Sequence, residues 1–446
     1  MVCRVCKREI DSPVCSFCGE DNTPWIEAAR ETVKSDEAVE NIEPVSEPVV
    51  RRKYRIDYKK LVRLIGVVVA IILVIWFVSS LFSSDTKKAE PANNTLFTDG
   101  MIAVRSGQEW GYINSDNISS YAITPQYKYV TRYYGNIAFA YIGNKYAAIN
   151  KAGELLTEPA FEAVGPVAKN GYFAVKSDGK WGYINKDIEY VIEPKFSTAG
   201  VFTNGIAAVS VNGSYGYIGT DGEYVIAPQY EQALDFSDGY AAVRVDGKWG
   251  YINKDGGAVI DPVYEEAHKF IDGMAIVRLY GDYGVINKKG KFTVEPQFDE
   301  ILPFEDGYAR VKTGNRYGYI NKDGSFKINP RYYELGLFGD ESLTYAARGD
   351  GKYGFVNKEG NFVIEPAFDG AGEFSNGMAP VLTDGLWGYI NTDGEMVISP
   401  AYTSATAFYS DGYAVVQDSS GVYSVIDTEG TNLFSSSVNA EGMMIN

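Results

Sequence analysis

The chain has 446 residues, with 41 Lys and Arg against 58 Asp and Glu and a formal net charge of −17. Residues 1–63 hold 12 basic and 12 acidic residues, so the 29 basic and 46 acidic residues beyond them carry the whole imbalance. That argues against a nucleic-acid surface in the long C-terminal part, because phosphate contacts need Lys and Arg; the length allows several domains or one long array.

All four cysteines lie in the first 18 residues, as Cys3-x-x-Cys6 and Cys15-x-x-Cys18. Each pair offers two thiolates from one tight turn, and two such turns complete a tetrahedral S4 shell that suits zinc. Four Cys ligands leave no open position, so the expected Zn2+ is structural, and residues 1–20 have too little apolar content to fold without it. A redox CxxC is the rival reading, but no βαβ context surrounds it. The stretch "CRVCKREIDSPVCSFCGE" resembles a short zinc ribbon of the kind found at the N-terminus of bacterial membrane proteins, with Lys7 where that pattern often has Gly.

Residues 21–60 read as a linker, acidic with scattered Pro at first, then basic. Residues 61–83 read as a transmembrane helix, in which 64–82 form an uncharged run of 19 residues. That run can cross a bilayer core of about 30 Å. Arg51, Arg52, Lys53, Arg55, Lys59, Lys60 and Arg63 flank its N-terminal side. The positive-inside bias therefore places the N-terminus in the cytoplasm and the C-terminal part outside. A cleaved signal peptide fits poorly, since about 60 residues precede the apolar run.

After a short linker, 84–95, residues 96–446 are one unit copied about ten times. A glycine follows Trp or Tyr at 111, 182, 216, 250, 284, 318, 354 and 388, with Ala147 and Ser424 in the two remaining slots. Three other marks keep step with a period of 34–36 residues: an opening aromatic-x-Asp/Asn-Gly such as "FSDG" from Phe236, a run such as "VIDP" from Val259, and an aromatic two residues after that Pro. In the unit from Phe236, "YAAVRV" and "KWGYIN" read as strands joined by an Asp246-Gly247 hairpin turn. "AVI" reads as a third strand, and Pro262 is expected to end the ladder. Trp249 is expected to be a buried anchor, Gly250 to admit a close neighbour, and Asn253 with Gly256 to manage a turn. A motif present in every unit argues for scaffold, since an enzyme needs one site. Recurrent Ala103, Ala138, Ala174, Ala207, Ala241, Ala275, Ala309, Ala379 and Ala414 suit a crowded inner strand.

These marks resemble the WG-repeat family of bacterial proteins. The resemblance implies a β-propeller-like array, no enzymatic activity and no named ligand. The unit is short for a common blade and ten exceed the usual number, so an open β-superhelix is the alternative, with the last unit as a cap. His268 is the lone histidine, which disfavours His-based metal sites and a Ser-His-Asp triad. The Asn/Asp-rich turns miss the spacing of a calcium loop. The resulting expectation is a non-enzymatic, single-pass cell-surface protein. Its ectodomain binds a protein or wall polymer, its ribbon meets a cytoplasmic protein, and it contacts the bilayer but no nucleic acid. A transmembrane sensor and a wall-polymer hydrolase are the alternatives.

Overall fold

The computed structural model describes residues 95–339 and 341–436. The Cys3, Cys6, Cys15, Cys18 quartet, both of its linkers up to residue 94, and the apolar segment 61–83 lie outside the described residues. Among the described residues no helix is long and apolar enough to cross a membrane.

The described chain is strand and turn throughout, arranged as ten successive open antiparallel sheets. Sheet one spans 101–127 with three strands and sheet two spans 138–149 with two; each of the remaining eight has four strands in chain order. Sheet five is representative. It has a short strand, Gln232–Ala233, then long strands Tyr240–Val245, Lys248–Asn253 and Ala258–Tyr264. One residue, Glu231, separates Tyr224–Tyr230, the third long strand of sheet four, from the short strand of sheet five; the long strands of each sheet are numbered first to third.

The turns follow the residue types. Asp246 and Gly247 both take positive φ, 49° and 76°, which makes the type I′ hairpin that matches strand twist. The opening turn repeats this with Asp238 and Gly239 at 53° and 89°. At the third turn, Asn253 Oδ1 accepts from the amides of Asp255 and Gly257 at 3.1 and 2.8 Å, closing an Asx turn.

Gly250 is dictated by the strand beside it. Trp249 pairs with Tyr264 and Tyr251 with Ile260, so one residue on the second strand faces three on the third, Pro262 among them. The third strand bulges inward there: a Cβ on Gly250 would stand 2.5 Å from the Ile260 carbonyl oxygen and 2.7 Å from Pro262 N. The same collision awaits a Cβ at the other seven glycines of this position. The two units without the glycine are less regular at this place. Around Ala147 the sheet has two strands, faced by a segment joined only through isolated bridges that pair Tyr146 with Phe161 and Ile149 with Leu155, and in sheet ten Tyr423, Ser424 and Val425 pair in unbroken register with Ser436, Ser435 and Phe434.

Consecutive sheets share hydrophobic seams. Between sheets four and five, Ala208, Tyr217, Ile226 and Tyr230 of one meet Phe236, Ala241, Val243 and Ile252 of the other. Ring centroids of Tyr217 and Phe236 are 4.7 Å apart. The tyrosine hydroxyl also crosses the seam: Tyr183, Tyr217, Tyr251, Tyr319 and Tyr389 each donate to a carbonyl 17 residues on, and Tyr112 to one 19 residues on, at 2.6 to 2.8 Å. The bond satisfies a group that burial would otherwise penalise, and the ring pair adds about 0.5–1.5 kcal/mol beyond its area.

The described residues form ten such seams for ten sheets. The tenth joins sheet ten to sheet one: Tyr409, Val415, Tyr423, Val425 and Phe434 pack with Leu96, Phe97, Ile102, Val104 and Ile113. Polar contacts reinforce it. The Phe97 amide donates to Asp411 Oδ2 at 3.1 Å, and Ser436 Oγ donates to the Arg105 carbonyl at 2.7 Å.

Four expectations are corrected. Trp249 is only half-buried, at the margin of its seam; Tyr251, 1 % exposed, is the deep anchor. Pro262 does not end the ladder, since its strand continues to Tyr264. The unit has four strands because the segment after Tyr264 opens the next sheet. The last unit is no cap: it is a full four-stranded sheet with both faces packed.

Candidate functional site

The repeat residues have structural partners, so a binding site is to be sought where a unit departs from the pattern. In five units a carboxylate follows the aromatic at the end of the third strand and accepts from a hairpin amide: Glu162 from Gly179, Glu231 from Gly247, Glu265 from Gly281, Asp299 from Gly314 and Asp369 from Asp384. At the junction of sheets seven and eight that carboxylate is replaced by Tyr333, which is exposed, and Arg331 precedes it.

An open cleft of about 520 Å³ lies here, lined by Arg331, Tyr332, Arg348, Gly349, Gly360, Asn361, Phe362 and Glu365. Its walls come from the third strand of sheet seven, Phe326–Tyr332, and the third strand of sheet eight, Phe362–Phe368, with the turn before it. Arg331 Nη2 donates to the Gly360 carbonyl at 2.5 Å, and the Tyr332 hydroxyl donates to the same oxygen. The Arg348 guanidinium lies 4.7 Å from the Phe362 ring centre and pairs with Glu365 Oε2 at 2.9 Å. Beside the cleft, Arg316 stacks 3.5 Å over the Tyr333 ring while its Nη1 donates to the Arg331 carbonyl at 3.0 Å.

Two guanidinium groups, Arg331 and Arg348, thus line the cleft with one carboxylate, Glu365, paired to Arg348, and a third, Arg316, lies beside it. Their setting sharpens the contrast. Residues 359–446 contain twelve acidic residues and no Lys or Arg, whereas five of the eight Arg in residues 95–436 fall between 278 and 348.

A second charged cluster, in sheet six, is internally closed. Glu266 accepts from Arg278 Nη1 at 2.8 Å and from the Tyr283 hydroxyl at 2.5 Å. Partial burial pushes the Glu266 carboxyl up, but the bonds from Tyr283 and Arg278 outweigh it and hold the group below the usual carboxylate range. Burial, then the bond to Glu266, pushes the Tyr283 phenol up to about 12. Each donor there already has its acceptor, which suits a structural tie. His268 is exposed and uses its carbonyl to receive the Tyr251 hydroxyl. Among the described residues no group of three or more His, Cys, Asp or Glu is placed to hold a metal ion.

The profile of the WG containing repeat matches nine times, at residues 110–146, 148–181, 181–215, 215–249, 249–281, 283–317, 317–353, 353–387 and 387–419. The chain belongs to the WG-containing repeat family. Most of these WG-repeat matches run from one WG aromatic to the next, so a match such as 249–281 spans the seam between two sheets rather than one sheet. No curated protein matches this WG-repeat chain. Solved structures similar to it include a eukaryotic initiation factor, with 10% identity, TM-score 0.47, and coverage of 78% of this chain and 100% of that one. The computationally designed Ika8 protein is similar at 12% identity and TM-score 0.35, covering 67% and 98% of the two chains. BamB from Moraxella catarrhalis is similar at 13% identity and TM-score 0.32, covering 67% and 96%.

The arginine cleft was not singled out from the sequence. Its signal was available as a break in the repeat, "RYYE" from Arg331 where neighbouring units read "QYE", "VYEE" or "QFDE".

Proposed function

We propose that the repeats form a closed, propeller-like ring of ten units that serves as a non-enzymatic binding platform at the cell surface. The observation that carries this is the tenth seam: an open stack of ten sheets has nine internal interfaces, and packing of sheet ten on sheet one supplies the one that closes it. Such a ring offers a broad, rigid surface on which loop and edge residues vary while the seams stay constant.

The platform reading extends to the rest of the chain. Residues 61–83 anchor it as a single transmembrane helix, with the ribbon of Cys3, Cys6, Cys15 and Cys18 holding structural Zn2+ on the cytoplasmic side, where a protein partner engages it. The ring then faces a protein or wall polymer outside. The repeated Trp, Gly and Asn residues are each accounted for by packing or turns, which supports binding over catalysis.

Small-angle scattering of the full chain in micelles, with the detergent matched out, tests the ring. A disc-like envelope for the repeats is expected, and a curved rod would overturn closure. Reporter fusions at the two ends test the topology, and zinc content of wild type against Cys15→Ser tests the ribbon. Turnover of wall polymers by the purified protein would overturn the non-enzyme reading.

A further inference from the structure

We propose that the cleft between sheets seven and eight binds an extended polymer in which anionic groups alternate with hydroxyl groups, as in a uronate glycan or a polyol phosphate. The proposal rests on the binding-platform reading and names the ligand class for one place on it.

The cations come first. Arg331 and Arg316 have no carboxylate ion-pair partner among the described residues, and their bonds to the Gly360 and Arg331 carbonyls leave the remaining N–H groups of each guanidinium for other acceptors. A guanidinium fork matches a carboxylate or phosphate in a bidentate way. In a chain of net charge −17 such groups are not there for general solubility.

Glu365 narrows the class. It sits in the cleft, 2.9 Å from Arg348, and would repel a ligand charged at every position. A carboxylate only accepts hydrogen bonds, so it calls for a donor, and a sugar or polyol hydroxyl supplies one next to the anionic group. Asn361 adds an amide that both donates and accepts. The Phe362 and Tyr333 rings, backed by Arg348 and Arg316, give flat surfaces for the apolar faces of such units.

The strand chemistry disfavours the other macromolecular occupant, an acidic peptide. A peptide added as a strand needs an unbroken row of backbone groups at the sheet edge. The edge strand here, Phe362–Phe368, carries Pro366 and a register shift between its pairings at Phe355 and Tyr353.

The test is calorimetric titration of the full-length protein in micelles with sodium polygalacturonate, a glycerol-phosphate polymer, neutral dextran and poly-L-glutamate. Binding of one or both of the first two is expected, weakening with salt, and which one binds separates carboxylate from phosphate. The R331Q/R348Q double variant should lose about ten-fold or more in affinity. E365Q removes the repulsion and frees Arg348, so it should tighten binding several-fold; damage to the fold would weaken both variants, so the opposite signs separate the proposal from misfolding. Equal loss in both variants, failure of both anionic polymers to bind, or tighter binding of poly-L-glutamate would overturn it. Binding of dextran or of a protein that is unaffected by R331Q/R348Q would leave the platform reading intact while removing this site.

Discussion

The Tyr251 ring lies 4.7 Å from the Phe270 ring, and the Tyr251 hydroxyl donates at 2.7 Å to a carbonyl two residues before that Phe. One side chain thus makes an apolar and a polar contact across the same seam. Tyr251→Phe should cost about 1–2 kcal/mol through the lost bond, and Phe270→Ala about 3–5 kcal/mol through the cavity. Trp249→Ala, at the margin, should cost less than Phe270→Ala. Urea midpoints of the three variants rank them; a Trp249 variant worse than the Phe270 variant would put the anchor back on the indole.

Gly250→Ala and Ala147→Gly should behave as opposites. The first forces a Cβ against the Ile260 carbonyl and must distort the bulge, so it should fall in the upper range for single substitutions, about 3 kcal/mol or more. The second adds only backbone freedom where the facing segment, joined by isolated bridges, already accommodates a Cβ, for about 0.5–1 kcal/mol. Thermal scans of both check the argument, and similar losses would contradict the bulge as the reason for the glycine.

Stability should fall steeply at alkaline pH. Burial raises the phenol pKa of Tyr112, Tyr217 and Tyr251 well above the ordinary value, and that of Tyr183, Tyr319 and Tyr389 likewise. A raised pKa means that the folded state prefers the protonated phenol. Its contribution is complete below the unfolded pKa near 10, and it is lost as pH rises from there toward the folded values. Absorbance of phenolate at 295 nm should show these tyrosines ionising together with loss of β circular dichroism. Their ionisation with the fold intact would refute the seam burial.

Phe434→Ala should loosen two regions more than 300 residues apart in sequence. Hydrogen exchange should speed up in 102–113 and in 414–426 alike, with sheet five little changed, because repeat units touch mainly neighbours. Exchange confined to sheet ten would show that the tenth seam does not hold in solution.

The repeat period, the Asp-Gly hairpins and the Asn turn were legible because turn chemistry is local: φ preferences and a side-chain bond within four residues specify them. The identity of the anchor was not. Trp249 and Tyr251 both look like core residues in a strand, and only pairing across the seam decides which ring is enclosed. Pro262 misled for a related reason. Its missing N–H forbids a ladder bond at one residue, yet a bulge absorbs the gap and the strand resumes. Arg316 and Arg331 lie on two strands of sheet seven and Arg348 just past a strand of sheet eight, and no spacing in the chain announces the cleft that they frame.

The proline opposite each of these glycines has a consequence for crowding. Eight of the nine strands that end a sheet in this way hold a proline, and they carry apolar side chains such as Val259, Val363 and Val397 in solvent. Left regular, each margin would be a zipper tooth inviting another polypeptide to fasten on. The imino residue and its kink remove the matching half, which blunts edge-to-edge fastening between copies of the chain.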